Sequence, residues 1–257
     1  MEILIVDNAS TDGSAEMVQA EFPTVKLIQP GRNTGYAAGN NLAFAEATGE
    51  WLLTLNPDTE VGEGVLEQAV RILEARTAYG VLSCRFIGPE GETQASVRGF
   101  PTLKSLFGEL TGLARLAPRS FGDYRLSHFD YETEQPAPQP MGTFLLFRRE
   151  ALEAVGDPAK PFDESFPIFF NEVDLLLRLN QAGWPCLYTP QFSIRHHGGM
   201  STRQVRKEMI WESHRSLVRF LEKHATRRER KWLGVVKMLA LGGAFVRAKG
   251  YREGFRP

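Results

Sequence analysis

An α/β fold around a mainly parallel sheet is predicted for this 257-residue chain by three observations. Short apolar runs alternate with helical stretches over the first ninety residues. Polar or glycine-containing turns follow the ends of those runs, where open α/β sheets gather their ligands. A composition of 42% hydrophobic and 24% charged side chains is that of an ordinary folded protein and excludes disordered and fibrous classes.

Each element has its own signal. "ILIV" at 3–6 reads as a buried strand, "AEMVQAEF" at 15–22 as a short helix and "VKLIQ" at 25–29 as a second strand. "AGNNLAFAEAT" at 38–48 is helical and "WLLTL" at 51–55 is again a strand. "EGVLEQAVRILEAR" carries Val65, Leu66, Ala69, Val70 and Leu73 on one stripe, the mark of an amphipathic helix, and "GVLSCRFI" at 80–87 follows as a strand. "PEGE" at 89–92 is a turn, and the Pro-rich, polar residues 117–140 read as one long loop. "GTFLLFRREALEAVG" at 142–156 restores strand and helix. "NEVDLLLRLNQAG" is a helix with Asn171 as N-cap and Gly183 as stop, "PCLYTP" and "FSIRHH" are two short strands, and the remainder is helical.

Cys84 and Cys186 are far apart with no CxxC pairing, so both are expected in the core of a protein from a reducing compartment. No basic leader opens the sequence and no uncharged run spans a bilayer, which favours a cytoplasmic protein. The formal net charge of -1 hides an asymmetry: from Arg203 onward there are 15 Lys and Arg against 5 Asp and Glu. A basic tail, 203–257, therefore follows an acidic body, 1–202, and an anionic partner is expected for it.

Five segments carry candidate chemistry. Asp7 ends a strand, where an acid can receive ribose hydroxyls, although Asp7 and Asp12 also suit Asx turns and a helix cap. A calcium loop of EF-hand type fails because Ala9 stands where an oxygen ligand is required. In "RNTGYAAGNN", Gly35 and Gly39 flank a helix start and would let a phosphate or sugar approach the backbone, or simply form a tight turn. Neither GxGxxG nor a P-loop is present. "LNPDT" sets an amide oxygen and a carboxylate, Asn56 and Asp58, in a turn suited to Mg2+ or Mn2+. Glu172 and Asp174 fall in a first helical turn; Asp174 can pair with Arg178, and a carboxylate near a cleft can act as a general base. "RHHGGMST" sets two histidines beside two glycines.

The series "VDNASTDGS", "RNTGYAAGNN", "LNPDT", "MGTFLLFRREALEAVG", "FDESFPIFFNEVDLLLRLNQAGWPCLYTP" and "RHHGGMST" resembles the family 2 glycosyltransferases of GT-A fold, especially rhamnosyltransferase-like members. The resemblance covers residues 2 to about 202 and implies a Rossmann-like three-layer sandwich. It implies that Asp7 holds the donor nucleoside, and that Asn33, Gly35, Gly39 and Asn40 line the nucleotide-sugar pocket. Asn56-Pro57-Asp58 stands for the DxD-like metal element, with Asp58 as main ligand and Asn56 replacing the first acid. His196 is expected to complete the metal site, with His197 as second choice, while Gly142 and Thr143 face donor sugar and acceptor. Glu172 becomes the acceptor-activating base, and Asp174 with Arg178 is structural.

The implied activity is inverting, metal-dependent transfer from a dTDP- or UDP-sugar, with dTDP-rhamnose expected, to a lipid-linked or cell-surface polysaccharide acceptor. Residues 233–246, mostly apolar and flanked by cations and Trp232, suit an interfacial helix on the cytoplasmic face of an anionic membrane, or a helix packed on the catalytic domain. Nucleic acid is not an expected partner. Two other classes fit parts of the pattern: a truncated, non-catalytic relative that binds glycan-assembly enzymes, and a nucleotidyltransferase, whose Gly-rich basic motif is lacking. The resemblance also implies a strand-helix unit ahead of "MEILIVDNASTDGS", so the true start is expected upstream of Met1, or the product impaired.

Overall fold

A computed structural model describes residues 1–117, 124–198 and 206–249. In the first part of the chain β1 (Leu4–Val6), α1 (Ser14–Glu21), β2 (Lys26–Ile28), α2 (Gly35–Glu46), β3 (Trp51–Leu55), β4 (Thr59–Glu60), α3 (Val65–Glu74) and β5 (Val81–Ile87) alternate as expected. Then come β6 (Val97–Arg98), α4 (Leu103–Thr111), α5 (Leu113–Leu116), β7 (Gln135–Pro136), β8 (Gln139–Pro140), β9 (Phe144–Arg148) and α6 (Arg149–Glu153). The chain continues through α7 (Asn171–Gln181), β10 (Cys186–His196), α8 (Arg206–His224) and α9 (Leu233–Lys249).

The principal sheet runs β3-β9-β5-β10-β4, with β7 also paired to β10. It is mixed: β3, β5 and β10 point one way, and β9 lies antiparallel between β3 and β5. β1 and β2 form a separate parallel ladder. It is tied to the start of β3 by Glu2, whose Oε1 accepts from the Thr48 and Gly49 amides at 2.7 and 3.0 Å.

Two faces of the sheet are covered. Leu145 and Phe147 of β9 meet Ala37 and Phe44 of α2 and Leu175 and Leu179 of α7 on one side. Phe144 and Leu146 meet Ala69 and Leu73 of α3 on the other, so the two-residue period of a strand distributes "FLLF" between two cores. This is the three-layer sandwich. The arginines that follow bind it at the edges. Buried Arg148 donates to the Tyr79 carbonyl at 3.0 Å and to that of Leu73 at the end of α3, while Arg149 donates to the Ala47 and Gly49 carbonyls beyond α2 at 2.9 and 2.8 Å. Cations on C-terminal carbonyls satisfy orphan acceptors and oppose the helix dipole.

Several local expectations are corrected. Phe170, at φ 67°, is the N-cap of α7, and Asn171 is its first helical residue, its amide donating to the Ile168 carbonyl at 2.7 Å. The two short strands form one, β10, with an irregularity between Thr189 and Ser193. Within 117–140, residues 118–123 lie outside the described residues, but β7, β8 and an aromatic cluster of Phe129, Tyr131 and Tyr188 order the rest. Cys84 and Cys186 are buried free thiols, as expected.

The basic tail begins outside the described residues, which exclude Arg203 to Val205, and resumes as α8. Phe220 and Leu221 of α8 and Val236 of α9 join Leu103 and Leu106 of α4 and Val173 of α7 in one core. An ionic knot reinforces it. The Asp174 carboxylate, fully buried, accepts from Arg178 Nε at 2.8 Å, His224 Nε2 at 2.7 Å and Lys223 Nζ at 2.6 Å. Burial alone would raise this carboxyl; hydrogen bonds from His224 and Lys223, with the charge of Arg178, outweigh it and hold the group at about 2.

A folded-state value below the ordinary 3.8 means stability that is complete above about pH 4 and lost as pH falls through about 2. Its size is about 2 kcal/mol. Asp174→Asn, which leaves Arg178 and Lys223 facing a neutral amide, is expected to lower the unfolding free energy by about 3 kcal/mol in urea denaturation at pH 7. A loss below about 1 kcal/mol would show that the knot does not hold α8 to α7.

Candidate active site

Two of the candidate residues, Asn56 and Glu172, meet one short segment, Gly142-Thr143, just before β9. The Thr143 carbonyl accepts from the Asn56 amide at 3.0 Å, which fixes the turn after β3. The Gly142 carbonyl accepts from Tyr36 Oη at 2.9 Å in the first turn of α2. A Cβ on Gly142 would lie 3.5 Å from Glu172 Cβ, so the backbone there abuts the candidate base. Tyr36, Asn56, Gly142, Thr143 and Glu172 therefore share one wall. Burial, aided by the Glu172 charge, raises the Tyr36 phenol well above its ordinary range and keeps it a neutral donor.

Glu172 itself retains partial access to solvent while protein surrounds it. That desolvation pushes its carboxyl up to about 7 from 4.5, against the opposing pull of helix N-terminal amides and the Arg98 charge. A carboxyl with this value exchanges a proton near neutrality. Asp174, two residues on, turns to the opposite side of α7 and with Arg178 takes no part in this wall.

Beyond the Asn56-Pro57 turn, Asp58 meets β10. Its carbonyl receives the His197 amide at 2.9 Å, and its Oδ1 lies 3.7 Å from His196 Nε2. Gln94 sets the imidazole: its Nε2 donates to the His196 carbonyl at 3.0 Å, so its Oε1, 2.8 Å from Nδ1, receives the ring N–H. This leaves the Nε2 lone pair directed to the Asp58 side. Burial lowers the His196 pKa, the Asp58 charge opposing and His197 adding to the effect, so the ring is neutral at pH 7. His197 instead bonds Glu60 Oε1 at 2.7 Å on the exposed edge.

A neutral imidazole with its second nitrogen fixed by an amide, beside a carboxylate, is the ligand chemistry of a divalent ion. Among the described residues no group of three or more His, Cys, Asp or Glu is close enough to enclose one. The residues thus fit an ion of the Mg2+ or Mn2+ type that takes most of its oxygens from substrate phosphates and water.

The α2 entrance forms the other side. Gly35 stands at φ 81°, and a Cβ there would come within 2.7 Å of the Pro167 carbonyl, which accepts from the Tyr36 and Ala37 amides at 2.7 and 3.2 Å. Asn33 Oδ1 receives the Gly35 amide at 2.9 Å. Asn8 is the residue that sequence reasoning missed. Its Oδ1 accepts from Thr34 N and Oγ1 at 3.1 and 2.8 Å, its amide donates to the Gly35 carbonyl at 3.2 Å, and Gly39 leaves it room. Its place beside Asp7 was the available signal. Asp7 accepts from the Ser10 amide at 3.1 Å, an Asx-type turn, and Asp12 likewise receives Ser14. Asn40 donates back to the Tyr36 carbonyl at 2.9 Å within α2.

The chain is similar to known proteins. The Glycosyl transferase family 2 profile matches residues 1–156. N-acetylglucosaminyl-diphospho-decaprenol L-rhamnosyltransferase of Mycobacterium tuberculosis is 29% identical over 234 residues, covering 86% of this chain and 74% of that protein. Among solved structures, the mannosyltransferase PcManGT from Pyrobaculum calidifontis, in complex with GDP-Man and Mn2+, superposes with a TM-score of 0.54 at 20% identity, covering all of this chain and 67% of that one. S. aureus TarS 1-349 in complex with UDP gives 0.50 at 17%, covering 99% and 66%. These likenesses identify the sandwich as a GT-A fold. With the profile covering more than half its length, the chain belongs to glycosyl transferase family 2.

Proposed function

We propose that this glycosyltransferase moves a sugar, with inversion and with a divalent ion, from a nucleoside diphosphate to a lipid-linked precursor of a cell-surface polysaccharide. The observation that carries the reading is the single Gly142-Thr143 wall, which receives the Asn56 amide and abuts Glu172. Residues 1–202 would be the catalytic unit. The likeness to the mycobacterial rhamnosyltransferase supports a dTDP-rhamnose donor and a prenyl-diphosphate-linked acceptor.

The chemistry follows from the groups present. A sugar hydroxyl is a weak nucleophile, and Glu172 takes its proton as the oxygen attacks the anomeric carbon opposite the departing diphosphate. One displacement inverts that centre. Asp58, with His196, would hold Mg2+ or Mn2+; bound there, the ion supplies charge neutralisation to the diphosphate. Asn33, Gly35, Gly39 and Asn40 would border the nucleotide sugar, with Asp7 near its nucleoside. Asn8 keeps that border in place by joining the β1 turn to α2.

The C-terminal helices support work at a membrane surface. Val236, Ala240, Ala244 and Ala248 form the buried stripe of α9, while Val235, Met238, Phe245 and Val246 form an exposed apolar stripe on its other side, preceded by exposed Trp232. Arg227, Arg228, Arg230 and Lys231 lie just before the helix and Lys249 at its end. Among the described residues no helix is long and apolar enough to cross a membrane. An apolar stripe ringed by cations suits the interface of an anionic leaflet, which fits the cytoplasmic face.

Three outcomes test this reading. Asp58→Ala should reduce Mn2+-dependent donor hydrolysis and transfer at least a hundredfold, and activity indifferent to both Asp58 and a chelator would overturn the metal assignment. For the base, kcat/KM should climb as pH rises through about 7, because only the ionised carboxylate accepts a proton. Glu172→Gln should abolish that transfer while donor binding, read by calorimetry, persists. Sedimentation with vesicles containing anionic lipid should retain the wild type, and the combined Val235→Glu, Met238→Glu and Val246→Glu variant should bind at least tenfold less. Equal retention of the two would remove α9 as the contact.

A further inference from the structure

We propose that the cavity between α8 and the Pro167-Ile168 turn binds a pyranose unit of the acceptor glycan, an assignment that rests on the glycosyltransferase reading above. The cavity is about 410 Å3, within the size range of small-ligand sites. It is a groove open to solvent: Glu208, Trp211, Glu212 and Arg215 line it from successive turns of one α8 face with Met209 beside them, and Pro167 and Ile168 form the facing wall.

That wall is shared with the candidate active site. The Pro167 carbonyl holds the Tyr36 and Ala37 amides, and the Ile168 carbonyl holds the side-chain amide of Asn171, the residue before Glu172. The wall of the cavity is therefore joined by hydrogen bonds to the first turn of α2 and to the residue before the candidate base. A glycan extending past the turn would bring its terminal hydroxyl towards Glu172.

The chemistry of the lining selects the ligand class. Two carboxylates facing one groove disfavour a phosphate or diphosphate, and a lipid chain would leave the polar groups of Glu208, Glu212 and Arg215 unused. A neutral polyol has neither defect. Its hydroxyls donate to Glu208 and Glu212 and accept from Arg215, as charge-assisted hydrogen bonds, while its C–H face packs on the Trp211 indole. Glu212 is oriented by Ser216 Oγ at 3.0 Å, and the Arg215 guanidinium lies 5.9 Å from the indole centre, so both groups are held at the cavity.

Saturation-transfer NMR on the whole protein tests this with rhamnose, N-acetylglucosamine, glucose and galactose and their octyl glycosides. The expected result is saturation of ring protons from at least one sugar, reduced at least tenfold in Trp211→Ala and clearly weakened in Glu208→Gln, whose exposed position leaves folding intact. Acceptor kcat/KM should fall at least tenfold in the same variants while acceptor-independent donor hydrolysis is unchanged. Ring protons that stay silent across the panel, saturation of the octyl chain alone, or saturation indifferent to both substitutions would overturn the proposal. Donor hydrolysis by the wild type reads the glycosyltransferase assignment separately: if it is absent while ring protons are saturated, that assignment fails and the sugar site stands.

Discussion

The antiparallel insertion of β9 is the constraint on which the site depends. A strand running with β3 and β5 would begin at the far end of the sheet, away from the turns that follow them. Because β9 runs the other way, Phe144 pairs with Leu55, and the residues just before Phe144 lie against those just after Leu55. This is why Thr143 can receive the Asn56 amide and Gly142 can reach both Tyr36 and Glu172. One reversal of direction brings three distant stretches of chain to one edge. A Cβ at 142 would lie in van der Waals contact with the Tyr36 hydroxyl and Glu172, at 3.4 and 3.5 Å, so this backbone packs directly on both.

Two carboxylates two positions apart then acquire opposite character. Helical geometry turns Glu172 and Asp174 to different sides of α7. Glu172 meets backbone and an uncharged phenol, and desolvation raises it to about 7. Asp174 is closed to solvent, yet hydrogen bonds from His224 and Lys223 and the charge of Arg178 reverse the effect of burial and hold it at about 2. Partner count, not depth, decides the sign. One group is thereby suited to proton exchange and the other to fastening α8.

Much of this was legible in the sequence, and the failures share a cause. The two-residue and 3.6-residue periods located β1, β2, β3 and β5 and α1 to α3, because each reports a neighbourhood within a few residues. "FLLF" announced a strand but carried no mark of direction, so which strand of the mixed sheet runs antiparallel was not readable. The Asp174–Arg178 pair was legible at i, i+4, whereas Lys223 and His224 lie some fifty residues away. Asn8 escaped for the same reason, since its partners are Thr34 and Gly35. His196 was distinguished from His197 by likeness alone. In the structure the difference is strand alternation, which turns one ring inward to Gln94 and Asp58 and its neighbour outward to Glu60.

The basic tail packs on the domain, one of the two alternatives that the sequence left open, and keeps a second apolar side exposed. Small residues every fourth position let α9 lie against its neighbours on one side, and larger apolar residues occupy the other, so packing and surface contact need not compete. α8 is the connecting piece. Its end is fastened to α7 through Asp174, and its earlier turns face the wall that Asn171 and Tyr36 support. A displacement of α8 would act on the helix that carries Glu172 through the buried ionic knot and on the α2 entrance through Pro167. Glu172 and the C-terminal helices are thus joined by contacts, through α7 and the Pro167-Ile168 turn, that a change at either end must disturb.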